Sequence, residues 1–197
     1  MAAEAGADMI GLVGPMPSGP GVLSPECCRE ISRNAPAWVT PVLLTSSETA
    51  SDILRDVRFA EVRAVQLVRH VPGDVHDALK AADPGLRILQ VIHVEGPEAV
   101  EMINRYRHAD AFLLDSGRPS VAELGGTGRT HDWSVSAECV AASPIPVFLA
   151  GGLTPGNAID AIAQVRPFGV DVCSGVRSGA RLDAGKLTNF MAAAGAA

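Results

Sequence analysis

Short apolar runs, each too brief for a helix, alternate along this chain with segments of helical spacing, and that alternation restricts the fold more than any other feature. The runs Met9–Val13, Val39–Leu44, Ala64–Val68, Ile88–Val94, Ala111–Leu114, Val147–Ala150 and Gly169–Val172 read as seven buried strands. A helix is expected after each: Pro25 to about Ser32, a segment capped at Ser46-Ser47-Glu48 and running through Val57, about Asp74 to Ala82, Pro97–Tyr106, Ser134–Ala142, Pro155–Val165 and Asp183–Ala194. Ser24 ahead of Pro25 and Glu26 is an N-cap with proline at the first helical position. Ala2–Ala7, closed by Gly6, reads as the last turn of a further helix. Such alternation implies a parallel sheet covered by helices. An α/β barrel of the TIM (β/α)8 type, lacking its first β-strand, is the best candidate, since 197 residues sit at the ~200-residue lower end of that fold. A doubly wound open sheet is the runner-up, but it carries its glycine fingerprint after the first strand, whereas the glycine-rich loops here come late. With 47% hydrophobic residues the chain can bury a full core, most simply as one domain over residues 1–197.

Three strand ends run into glycine-rich loops. Asp115 closes the run from Ala111 and precedes Gly125-Gly126-Thr127-Gly128; Ala150 precedes Gly151-Gly152-Leu153-Thr154-Pro155; Asp171 precedes Cys173-Ser174-Gly175. In a barrel these loops share the carboxyl end of the sheet, where phosphate commonly binds between the last two strands. Gly151 and Gly152 would set helix N-terminal amides beside an oxyanion, and Ser174 and Gly175 would add amides from the facing loop. Each loop alone is equally a tight turn; together they favour one phosphate site. Asp115 is either a general acid or a loop carboxylate that caps a helix or pairs with Arg118 or Arg129. Its position at the end of an apolar strand favours the first.

The charge balance narrows the ligand. With 22 acidic and 16 basic residues the net charge is −6, which argues against broad nucleic-acid or anionic-membrane binding, so an anionic ligand must be met locally. Cys27, Cys28, Cys139 and Cys173 show no metal-ligand spacing, and the adjacent Cys27 and Cys28 are poorly placed for a mutual disulfide. They read as reduced thiols of a cytoplasmic protein. The N-terminus has no basic leader or apolar core of signal length, and no stretch reaches the ~20 apolar residues of a membrane span.

Leu114-Asp115-Ser116 with Gly125-Gly126-Thr127-Gly128-Arg129-Thr130-His131-Asp132-Trp133, then Ala150-Gly151-Gly152-Leu153-Thr154-Pro155-Gly156-Asn157, and Val170-Asp171-Val172-Cys173-Ser174-Gly175-Val176, resemble phosphoribosylanthranilate isomerase. The likeness extends back through Gln66-Leu67 and Ser24-Pro25-Glu26 to Ala5-Gly6-Ala7-Asp8. The resemblance implies a (β/α)8 enzyme of tryptophan biosynthesis that performs an Amadori rearrangement on a small phosphorylated sugar, with no cofactor. That chemistry needs an acid for the ring oxygen and a base for the proton on C2 of the sugar. The resemblance assigns the acid to Asp115, a substrate-facing carboxylate to Asp171, and ligand-holding backbone to Gly126, Gly151, Gly152, Ser174 and Gly175.

Departures from the family pattern gather at the barrel mouth. The family's base is a cysteine in a Lys-Ile-Cys-Gly segment on a first strand, which would precede Met1. Its carboxylate-holding arginine falls at or near Gly21; its Gln-Leu-His-Gly reads Gln66-Leu67-Val68-Arg69; its glutamate after Ser-Gly-Val is Arg177. Cys173, of the same strand parity as Asp171, is a candidate replacement base, against the plainer reading of a packed loop cysteine. His70, His93 and His131 are further candidates, though histidines near loops are more often bystanders. Arg69 or Arg177 could hold a carboxylate or phosphate by a bidentate contact, against the commoner solvated arginine. A barrel short of one strand exposes two edges, Met9–Val13 and Gly169–Val172, which shrinkage to a smaller barrel, association with a second copy through the open seam, or an N-terminal segment preceding this sequence would each cover. Two functions are carried forward: the isomerase, and a diverged relative that binds or transforms another sugar-type ligand or serves as a scaffold.

Overall fold

In the computed structural model, which describes residues 1–16, 21–106, 108–117, 130–179 and 181–196, seven parallel strands follow one another in chain order across one sheet. They are β1 (Met9–Val13), β2 (Thr40–Thr45), β3 (Ala64–Leu67), β4 (Arg87–His93), β5 (Ala111–Asp115), β6 (Val147–Leu149) and β7 (Gly169–Val170). The helices between and after them are α1 (Pro25–Asn34), α2 (Ala50–Ala60), α3 (Gly73–Ala82), α4 (Ala99–Ile103), α5 (Trp133–Ala142), α6 (Ala158–Val165) and α7 (Ala184–Gly195). This is the expected (β/α) arrangement, curled as an incomplete barrel; among the described residues β1 and β7 are not paired with each other.

Strand side chains alternate between two sides of the sheet. Leu12, Leu43, Val65, Leu67 and Ile88 pack with Ile53, Val57 and Leu79 of α2 and α3. Phe112, Leu114, Val147 and Leu149 pack with Ile103, Cys139, Ala161 and Phe190 of the later helices. Each of the larger aliphatic and aromatic side chains among these, removed from water, contributes about 1.5–3 kcal/mol, so both helical flanks are fixed to the sheet. The opposite parity gives Val68, Val91, Leu113 and Ala150, which with Leu44 and Phe148 line the inside of the curl.

The departures from the expected elements have local causes. Ser24 caps α1 as expected, its hydroxyl accepting from the Cys27 amide at 3.2 Å. The cap of α2 is instead Thr49, which accepts from the Asp52 amide, because Ser46 donates to the Pro15 carbonyl and the Ser47 amide is held by Thr45. Helix α4 is shorter than Pro97–Tyr106, since Ala99, Val100 and Glu101 are entered through bonds to residues three back, a tighter turn than the α-helix. After Val170 the chain leaves the sheet for a 3-10 turn, Ser174–Val176, and a two-stranded antiparallel ribbon, β8 (Arg177–Ser178) with β9 (Arg181–Leu182).

Candidate active site

The strand register sets two carboxylates in one row. Leu114 of β5 is level with Leu149 of β6, and Leu149 with Val170 of β7. The next residue on each is Asp115, Ala150 and Asp171, and the row continues through the bonds from the Ala150 amide to the Leu114 carbonyl (2.7 Å) and from the Asp171 amide to the Leu149 carbonyl (2.8 Å). Asp115 has the parity of Leu113, so the row faces the inside of the curl together with Ala150. Strands lie ~4.8 Å apart, so the two acids stand roughly 10 Å apart at their Cα atoms with only the methyl of Ala150 between them. On the same inner face Leu113, Val91 and Phe148 cluster with Ala150 and form an apolar floor to the curl.

That floor governs their ionisation. Burial pushes Asp115 up to about 6, although the Ser116 amide donates to its Oδ1 at 2.7 Å and pulls the other way. Burial among the surrounding strand ends, and then the charge of Asp115, push Asp171 up to about 6. Asp171 is exposed at its outer side, and the charge of Asp115 adds to the effect of burial. Two coupled carboxyls in this range release their protons in steps belonging to the pair, so around pH 6 one can be protonated while the other is charged.

The loops above this row interlock. Gly151 and Gly152 both have left-handed backbone (φ +78° and +65°), which favours glycine. A Cβ on Gly151 would lie 2.8 Å from the Ser116 amide and 3.0 Å from His131 Nδ1, so the β6 loop lies directly against the β5 loop. A Cβ on Gly175 would lie 1.8 Å from the Leu153 carbonyl oxygen, so the β7 loop is seated on the β6 loop. Asn157 braces the turn into α6, accepting from the Thr154 amide at 2.7 Å and donating to the Gly152 carbonyl at 3.1 Å. The three strand tips therefore converge, with the α6 N-terminus directed toward them, an arrangement that suits an oxyanion.

The remaining sequence candidates separate. Cys173 stands beside the acid pair: burial raises its thiol pKa, a hydrogen bond and charge from Arg177 oppose this, and the charges of Asp171 and Asp115 raise it further. Arg69 pairs with Glu48 at 3.2 Å. His93 bonds the Val68 carbonyl through Nε2 at 2.8 Å, and His70 meets the Tyr106 hydroxyl at 3.2 Å. His131 bonds Ser136 through Nε2 at 2.6 Å, and burial pushes it down to about 4. No hydrogen bond among the described residues joins these histidines to Asp115 or Asp171. Gly126, and Arg118 and Arg129 as partners for Asp115, lie outside the described residues. Sequence reading missed Ser116, whose amide holds Asp115, and Ala150, whose small side chain separates the acids; only their adjacency to Asp115 and Gly151 hinted at either.

A cavity of about 500 Å³ opens elsewhere, at the ends of β1 and β2 between α1 and α2. Leu23, Cys28, Leu43 and Phe59 line it, and none of the acid pair or the glycine loops does. Among the described residues no group of three metal-ligating side chains is assembled and no helix is long and apolar enough to cross a membrane.

Residues 4–193 match the model of the N-(5'-phosphoribosyl)anthranilate isomerase family. The chain belongs to that family. It is 38% identical over 177 residues to the N-(5'-phosphoribosyl)anthranilate isomerase of Methanocella arvoryzae, covering 89% of this chain and 82% of that one. Phosphoribosylanthranilate isomerase from Thermotoga maritima superposes with a TM-score of 0.85 at 31% identity, over 100% of this chain and 92% of that one. A further phosphoribosylanthranilate isomerase, solved with reduced 1-(o-carboxyphenylamino)-1-deoxyribulose 5-phosphate, superposes with a TM-score of 0.82 at 28% identity, over 100% of this chain and 91% of that one. These comparisons do not favour the diverged binding protein or scaffold.

Proposed function

We propose that this chain performs the isomerisation its family is named for, converting N-(5'-phosphoribosyl)anthranilate to the 1-deoxyribulose 5-phosphate product of tryptophan biosynthesis, in the cytoplasm. The observation that carries the reading is the row Asp115, Ala150, Asp171 beneath the interlocked glycine loops. In this reading the amides of Gly151, Gly152, Ser174 and Gly175 hold the phosphate, and the sugar lies over Ala150. Asp115 in its protonated form gives its proton to the ring oxygen as the C1–O bond opens, leaving an iminium at C1. Asp171, ionised, takes the proton from C2; the resulting enolamine relaxes to the ketone. One proton resides on the pair before and after this exchange. Asp171 suits the base role better than Cys173, because burial keeps the thiol protonated near neutral pH.

Loss of substrate fluorescence during turnover tests both assignments. Asp171→Asn is expected to lower kcat by about 10²–10⁴-fold, the range of a lost acid–base group, and Cys173→Ala by less than about tenfold. The reverse ranking moves the base to Cys173, and an unsubstituted protein that consumes no substrate removes the proposed activity. Among the described residues the outer edges of β1 and β7 have no strand partner, which also suits association of two copies. Sizing with light scattering is expected to give more than the monomer mass; a monomer alone would remove that expectation.

A further inference from the structure

We propose that Arg177 is the carboxylate-binding and specificity-determining residue of this site, a role that rests on the isomerase reading above. The ligand of the related structure has two anionic ends, a 5-phosphate and an o-carboxyphenyl group. The glycine loops and the α6 N-terminus suit the first. The second has to be held past two acids, Asp115 and Asp171, and that requires a cation fixed on the same side of the mouth.

Arg177 meets that requirement by position. Its backbone is fixed where the 3-10 turn meets β8: it is paired with Leu182 of β9, its carbonyl accepts from Lys186 Nζ at 2.7 Å, and the adjacent Val176 carbonyl accepts from the Asp183 amide at 2.9 Å. From there its guanidinium bonds the Cys173 thiol, which itself feels the charges of both acids. The other face reaches the loop after β1. A Cβ on Gly21 would lie 3.2 Å from Nη2 and 3.8 Å from Cζ, so any side chain at that position would crowd the guanidinium. Gly21 is held at φ +85°, where glycine is favoured. The planar fork therefore lies across the mouth between the tip of β7 and the tip of β1, beside the acids. A guanidinium can bind a carboxylate through two parallel bonds, which a point charge cannot reproduce.

Two ligands separate this role from a general one: the reduced analogue carrying the o-carboxyphenyl group, and its counterpart with a plain phenyl group. Calorimetry on the unsubstituted protein is expected to show about 100-fold tighter binding of the first, the scale of a fully formed charge-assisted fork. In Arg177→Ala that preference is expected to fall below about threefold while affinity for the phenyl counterpart stays within about threefold; Arg177→Lys should recover only part. A preference that survives Arg177→Ala, an equal loss for both ligands, or equal affinity for both in the unsubstituted protein would each overturn the assignment. Unsubstituted protein that binds neither ligand would instead remove the isomerase reading from which it starts.

Discussion

Asp115→Asn is expected to lower kcat by about 10³-fold, because asparagine keeps the shape and the acceptor for the Ser116 amide but has no proton to give the ring oxygen. Binding of the reduced product analogue should change by less than about threefold, since in the proposed mode binding draws on the glycine loops and the loss falls on the proton-transfer step. The same substitution should stabilise the fold above pH 6. The carboxyl of Asp115 is raised from 3.8 to about 6 in the folded chain, so the fold favours its protonated form. That contribution is complete below about pH 4 and is lost as pH rises through 6. Asparagine has no charge to bury, so the variant should exceed the unsubstituted protein by about 3 kcal/mol at pH 7.5, roughly 6–12 °C in melting temperature for a chain of this size. At pH 4 the two should melt together. A variant that turns over normally would end the acid assignment; one whose stability difference is the same at both pH values would show that Asp115 is not held in a dehydrated site.

The placement of Asp115 and of the glycine loops at strand ends was legible in the sequence because each is a local signal: a carboxylate closing an apolar run, and glycines clustered just after one. Their relation was not. Asp115, Ala150 and Asp171 share a row because of the stagger between three strands, and stagger belongs to the assembled sheet, not to any one segment. The same holds for Arg177 and Gly21, which are 156 positions apart in the chain; nothing local to either points to the other. The ribbon β8 and β9 has strands of two residues, too short to show a period. His76 and Gln90 illustrate the opposite failure. Polar residues on a helix and a strand suggest solvent, yet both are buried, bonded to each other at 2.9 Å, with the Gln90 amide donating to the Arg69 carbonyl. They bond one another where an apolar pair would otherwise fill the layer behind β4, and only the packed structure reveals it.

The second large effect concerns how the glycine loops after β6 and β7 are held. Gly175→Ala is expected to be among the most damaging single-methyl additions in the chain, because the new Cβ would meet backbone. At 1.8 Å from the Leu153 carbonyl oxygen and 3.1 Å from the Thr154 Cα, it cannot be accommodated by a side-chain rotation, and one loop must move off the other. The expected cost is about 3 kcal/mol, at the upper end for overpacking, or roughly 6–12 °C in melting temperature. Separation of the loops should also weaken binding of inorganic phosphate by at least about tenfold, since amides directed at one oxyanion lose their common focus. Gly179→Ala supplies the contrast. Its backbone is also left-handed, at φ +61°, but nothing lies within 4 Å of its Cβ position. It should therefore cost only the conformational strain of about 1 kcal/mol and leave phosphate binding intact. If both variants melt alike and both bind phosphate like the unsubstituted protein, the seating of the β7 loop on the β6 loop does not build the anion site, and phosphate must be held elsewhere.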